Sequence, residues 1–235
     1  LGDVYKRQTV ADAAGRTTKQ RFDARGKVLE TRMPASNGSD AGTTRTIYYT
    51  AGANSADASC GASDQAKAWA GELCRTYPAA APSSGPTLPS TKVTGYDYWL
   101  APTTTVETSG SATRTSEVKY DAAGRAVWEK TSTSGVAGSV ATEAIFTQYN
   151  PTTGLVDAVG VADPLGTGIG GAKDTFTYDL WGKETSYTNQ LGEKTSTSYD
   201  TAARVTAIAD PKGTTTFAYD GTDANGKPER RGVVT

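Results

Sequence analysis

The side chains able to do chemistry in this chain are its carboxylates, two cysteines and a few tryptophans. Histidine is absent from all 235 residues. That excludes Ser-His-Asp and Cys-His nucleophilic arrangements, His-ligated metals and imidazole acid–base catalysis within this stretch. Paired carboxylates are the remaining hydrolytic option, as in glycosidases, and Glu143, Glu184 and Glu193 are the nearest candidates. Cys60 and Cys74 are the only cysteines, and without histidine they supply half of a tetrahedral zinc site. Gly166-Thr167-Gly168-Ile169-Gly170-Gly171 has the glycine content of a phosphate loop but not its Gly-Lys-Ser/Thr ending, so it reads as a hairpin tip. Nothing here calls for a cofactor. Trp99, Trp128 and Trp181 lie near turns and could stack on sugar rings, although packing on a half-buried sheet is the commoner use of tryptophan. With 24 basic and 25 acidic residues the net charge is −1, which suggests no nucleic-acid partner. No apolar run reaches the roughly eighteen residues of a membrane span.

Most aspartates have a simpler explanation, which leads to the elements that carry them. Asp12, Asp23, Asp121, Asp163, Asp179, Asn189, Asp210 and Asp223 are each followed three residues later by glycine: Gly15, Gly26, Gly124, Gly166, Gly182, Gly192, Gly213 and Gly226. A type I turn favours Asp or Asn first, tolerates Pro second, and hands over to a glycine that takes positive φ. Asp163-Pro164 could suggest autoproteolysis, but Asp210-Pro211 repeats it in the same turn setting. Successive turns at 179, 189, 200 and 210 leave six or seven residues between them, a usual strand length. Ala203 stands where the Asp200 turn lacks its glycine.

Every second bend is announced by an aromatic: Phe22-Asp23, Tyr96-Asp97, Tyr120-Asp121, Tyr149-Asn150, Tyr178-Asp179, Tyr199-Asp200 and Tyr219-Asp220. Tyr178, Tyr199 and Tyr219 mark a repeat of about twenty-one residues, and such a period implies stacked units that share what they bury. Two strands and two turns make one unit. Thr-rich, glycine-rich segments with little helical periodicity predict an all-β chain of repeated antiparallel hairpins. Aromatics one strand apart are expected to pair across the sheet, adding up to about 1 kcal/mol each.

These residues resemble the YD-repeat, or RHS-repeat, family. Tyr120-Asp121-Ala122-Ala123-Gly124-Arg125 matches the opening of its unit, and Asp210-Pro211-Lys212-Gly213-Thr214-Thr215-Thr216-Phe217-Ala218-Tyr219-Asp220 matches the closing half and the next opening. The likeness covers roughly 9–33 and 94–226. Asp97-Tyr98-Trp99-Leu100 lacks the glycine, Asn150-Pro151-Thr152-Thr153-Gly154 carries an extra residue, and 127–148 stretches one unit. The resemblance implies a curved, spiralling sheet that forms part of a hollow shell.

The expected domains are a non-native leader at 1–8, a first repeat at 9–33, an insertion at 34–95, and an array at 96–235 that stops short. LGDVYKRQ resembles translated sequencing adapters and is set outside the fold. Within the insertion Asp64 to Cys74 is the best helical stretch, with Ala66, Trp69, Ala70 and Leu73 on one face. An even cysteine count flanking an insertion in a chain that looks exported argues for a Cys60–Cys74 disulfide, against two free thiols in a cytosolic chain.

The resemblance implies a structural function: a non-catalytic wall segment of a secreted or cell-surface bacterial protein that encloses a C-terminal toxin or effector. The implied partner is the remainder of the same polypeptide. A carbohydrate- or cell-wall-binding repeat module, with surface glycans as ligands, is the alternative, and a carboxylate hydrolase a third.

Overall fold

The computed structural model describes residues 6–34, 42–80, 88–139, 141–221 and 226–227. Expectations for 1–5, Pro82, Pro86, the start of the Asp223 turn and Arg230-Arg231 lie outside these. The strands are β1 (Lys6–Ala11), β2 (Thr17–Phe22), β3 (Val28–Arg32), β4 (Thr43–Tyr48), β5 (Leu73–Pro78), β6 (Ser90–Tyr96), β7 (Pro102–Ser109) and β8 (Ala112–Tyr120). They continue as β9 (Ala126–Ser134), β10 (Ile145–Tyr149), β11 (Val156–Ala162), β12 (Ile169–Tyr178), β13 (Glu184–Thr188), β14 (Lys194–Tyr199), β15 (Val205–Asp210) and β16 (Gly213–Thr216). All sixteen follow one another in sequence order in an open antiparallel sheet. An all-β meander therefore replaces any layered arrangement: each strand bends back beside its predecessor. The chain divides into two compact units, Leu1–Arg125 with Glu129–Thr142, and Ala126–Trp128 with Glu143–Thr235.

In the first unit the segment 34–95 contributes β4, β5 and most of β6 to the sheet. The extra chain is a loop, 49–72, that opens the β4–β5 hairpin. It holds a short 3-10 turn, Ala58–Cys60, and one helix, α1 (Asp64–Ala68). Ser63 caps α1 by accepting from the Ala66 N–H at 3.0 Å. The helix is shorter than the sequence predicts: it stops before Gly71, whose φ is +99°, and Leu73 and Cys74 open β5 instead. Strand pairing overrides the local helical pattern there.

This loop supplies most of the core. Ile47, Tyr49, Cys60, Ala66 and Cys74 are buried, with Trp69, Tyr77 and Tyr96 packed against them. The rings of Tyr49 and Trp69 meet edge to face at 5.3 Å, and those of Trp69 and Tyr96 at 5.4 Å. Such pairs add roughly 0.5–1.5 kcal/mol each beyond area burial. The second unit has little equivalent; Ala158 is its buried apolar residue among those described. Its strands instead approach closely. A Cβ at Gly160 would lie 2.7 Å from the Ile169 methyl and 2.9 Å from the Ala172 carbonyl, so β11 and β12 need glycine there.

Candidate functional site

The repeating turn is built one way throughout. In the Asp23 turn one carboxylate oxygen accepts from the N–H groups of Arg25 (2.9 Å) and Lys27 (2.8 Å), while Gly26 N–H reaches the Asp23 carbonyl. The same pattern recurs at Asp12, Asp97, Asp121, Asp179, Asn189 and Asp200. Residue four of each turn is left-handed: φ is +77° at Gly124 and +76° at Gly182, and Leu100 (+63°) and Ala203 (+66°) adopt it without glycine's freedom. Gly15, Gly166, Gly192 and Gly226 also have positive φ. Asn150 closes a turn one residue longer, through Gly154 and Leu155. Gly213 departs from the expected conformation. It opens β16 opposite Asp210, so Pro211-Lys212 is a two-residue turn that needs no left-handed glycine.

The aromatics occupy one structural position. Phe22, Tyr96, Tyr120, Tyr149, Tyr178 and Tyr199 are each the last residue of an even-numbered strand. At Phe22, Tyr96, Tyr149, Tyr178 and Tyr199 the return strand carries one extra residue just inside the turn, a β-bulge. Tyr48 ends β4 with the same bulge, formed by Cys74, so the 49–72 loop replaces a short turn at an ordinary repeat position. Sequence reasoning missed Tyr48 because no Asp follows it; its signal is that it lies twenty-six residues after Phe22.

The hydroxyls of the repeat tyrosines connect one repeat to another. Tyr48 donates to Val28 O (3.0 Å), Tyr96 to Leu73 O (2.6 Å), Tyr120 to Pro102 O (2.9 Å), Tyr149 to Ala126 O (3.1 Å) and Tyr199 to Glu184 O (2.7 Å). Each acceptor is the first residue of the preceding odd-numbered strand. The side chain thus spans from one repeat to the one before it, at the height of the turn. Phe176 and Tyr187 form the cross-strand ring pair in the second unit, at 5.5 Å.

A second bridge runs the other way. The cation after the left-handed fourth turn residue lies over the next repeat's ring: Lys27 over Tyr48 (4.9 Å), Lys183 over Tyr199 (4.9 Å) and Arg204 over Tyr219 (4.6 Å). Lys27 also donates to Gly71 O, and Lys183 to Ala203 O at 2.6 Å. Arg204 holds its own Asp200 at 2.7 Å and Asp220 at 2.6 Å. Asp220 itself has φ +57°, unlike the aspartates that open turns. Backbone and Arg hydrogen bonds hold the carboxyls of Asp12, Asp121 and Asp200 below their ordinary range. Burial, with nearby carboxylates, pushes the phenols of Tyr48 and Tyr120 up, and that of Tyr96 to about 12.

The remaining candidates separate. Cys60 and Cys74 form a disulfide, leaving neither thiolate to bind metal. Trp99 and Trp181 occupy the same third position of their turns and are 72% and 88% exposed. Trp128, expected near a turn and exposed, is half-buried within β9. Glu143, Glu184 and Glu193 are exposed, and Glu193 accepts from Asn189 across its own turn at 2.7 Å. Among the described residues no helix is long and apolar enough to cross a membrane.

Comparison with known proteins agrees with this geometry. The family model described as RHS Repeat matches residues 178–215, from the Tyr178 hairpin through the Asp210 turn. No curated protein matches by sequence. Among solved structures, that of TcdB2-TccC3-Cdc42 is similar over 94% of this chain, with 12% identity and a TM-score of 0.57. TcdB2-TccC3 solved without its hypervariable C-terminal region is similar over the same share, with 14% identity and a TM-score of 0.54. The chain covers 11% of either matched chain. Hairpins ending in a bulge and a Tyr-Asp turn thus carry an RHS repeat at residues 178–215, in a chain whose fold is similar to that of these structures.

Proposed function

We propose that this chain is a stretch of wall in an exported RHS-type shell, enclosing a C-terminal toxin or effector region and performing no reaction itself. The observation that carries this reading is the use of the aspartates. The turn aspartates are spent on turn N–H groups and, at Asp200, on a neighbouring arginine, and the tyrosines on carbonyls of adjacent repeats. A sheet that grows by one hairpin at a time has no intrinsic end, which suits a wall extended from the same polypeptide. The disulfide fits an oxidising compartment outside the cytosol. A related solved protein is named with a hypervariable C-terminal region, the kind of variable cargo this role requires. On this reading 49–72 decorates one repeat, whereas Lys6, Arg7 and Gln8 of the expected leader open β1 and pair with Phe22, Arg21 and Gln20. In the full-length protein, the region following the array should resist protease until denaturant opens the wall. Digestion at the rate of the free region would sink the proposal.

Trp99 and Trp181 favour a second reading, carbohydrate binding at the turn tips, because both present an exposed ring at one repeat position. Trp99→Ala and Trp181→Ala should then remove a glycan-array signal while leaving the β-sheet circular dichroism unchanged. An array with no signal ends that reading.

A further inference from the structure

The two faces of the β2–β6 sheet carry very different charge. Residues paired directly across neighbouring strands point to the same face. Lys19 pairs with Arg32, Arg21 with Glu30, Glu30 with Arg45, and Arg75 with Lys92, while Ile47, two residues from Arg45, pairs with Arg75. Every charged residue of β2 to β6 is in that set, so all lie on one face: six cations and the single carboxylate of Glu30. The other face presents Thr18, Gln20, Thr31, Thr44 and Thr46 at its paired positions. Chance alternation does not sort a chain of net charge −1 this way.

Within the face, Glu30 lies between Arg21 (3.9 Å) and Arg45 (3.4 Å), and the disulfide-closed loop brings Asp57 to Arg75 at 3.1 Å. By composition, β2 and β3 set Lys19, Arg21 and Arg32 against the single carboxylate of Glu30. A cavity of about 390 Å³ opens there, lined by Lys19, Arg21, Glu30 and Arg32 among others. Arginine's planar fork matches carboxylates in pairs.

We propose that this face docks an extended, Asp/Glu-rich polypeptide segment. Single-stranded nucleic acid is disfavoured because the face offers Tyr77 as its aromatic, already covered by Arg75 at 5.3 Å, and stacking platforms for successive bases are missing among the described residues. Duplex readout needs an element that enters a groove, and a sheet face has none. Only the source of the peptide rests on the wall reading: an acidic stretch of the enclosed polypeptide.

The test uses the 235-residue chain and a fluorescein-labelled oligo-glutamate peptide in a polarisation assay at low salt. The Lys19→Gln/Arg32→Gln pair should weaken binding by about tenfold or more. Thr18→Glu/Thr44→Glu, the same change in net charge on the opposite face, should leave it unchanged. Lys19→Gln alone, at an exposed site, should weaken it part-way and guards against misfolding of the double variant. No binding of oligo-glutamate, or equal weakening by both pairs, overturns the proposal, as does tighter binding of oligo-thymidylate or heparin. Protease protection in the full-length protein tests the wall without these residues. Oligo-glutamate binding without protection would remove the enclosed source and keep the face; protection without binding would do the reverse.

Discussion

At the scale of single residues, the repeat works by giving most of its recurring polar side chains a backbone group to satisfy. The left-handed fourth turn position shows the cost of departing from glycine, since a side chain there is strained by about 1–2 kcal/mol. Ala203→Gly should therefore stabilise the protein by about 1 kcal/mol, read as a higher urea midpoint with unchanged slope. A lower midpoint would show that Ala203 makes compensating contacts. Titration should act from both ends. The folded state holds the carboxyls of Asp12, Asp121, Asp163 and Asp200 below 3.8, so their contribution is complete above that value and is lost as pH falls below it. The phenols run the opposite way. Tyr96 is raised from 10.0 to about 12, so its contribution is complete below pH 10 and is lost as pH climbs to 12. Tyr96→Phe removes the bond to Leu73 O and should cost about 1 kcal/mol at neutral pH. It should also flatten the alkaline loss measured by denaturation at a series of pH values.

Among elements, the 49–72 loop is the exception that explains how the array tolerates insertion. It enters where a turn would stand, between Tyr48 and the bulge residue Cys74, so the flanking strands keep their register. The disulfide then ties the loop back to the bulge. Its two cysteines are 14 residues apart, and closing a loop of that size stabilises by about 3 kcal/mol in the chain-entropy model. Reduction, or Cys60→Ser with Cys74→Ser, should lower stability by about that amount. Hydrogen exchange should speed up in β4, β5 and the loop while β13–β15 stay as they were. Uniform acceleration across both units would argue against a local staple.

For the whole molecule, the notable property is how little is buried. Outside the cluster around Cys60 and Cys74, Val93 and Ala158 are the buried apolar residues among those described. The sheet is held by its backbone ladder, the hydroxyl bridges and neighbouring hairpins, as in repeat arrays where each unit depends on the next. Among the described residues β1 and β16 each pair on one side, and unpaired strand edges template association. The 235-residue chain should accordingly sediment as concentration-dependent oligomers. Replacing Thr216 in β16, whose N–H faces away from β15, with proline should shift it toward monomer. A monomer at all concentrations would mean that the edges are already protected.

The sequence by itself determined the hairpin array, because its signals are local. Asp or Asn, two residues, then Gly encodes a turn wherever it stands, and the aromatic before every second one marks which end of the strand it closes. Asp23, Asp121 and Asp179 could be placed from four residues each. What each tyrosine does could not be read that way. Its partner is a carbonyl fifteen to twenty-three residues earlier, at a separation that shifts with turn and loop length. Tertiary structure also decided that Tyr48 is a repeat position, that Trp128 is packed while Trp99 and Trp181 are not, and that Leu73 and Cys74 join a strand. The one-sided charge of β2–β6 belongs to the same class. It exists only once registers are fixed, since a slip of one residue would turn every lysine and arginine to the other face.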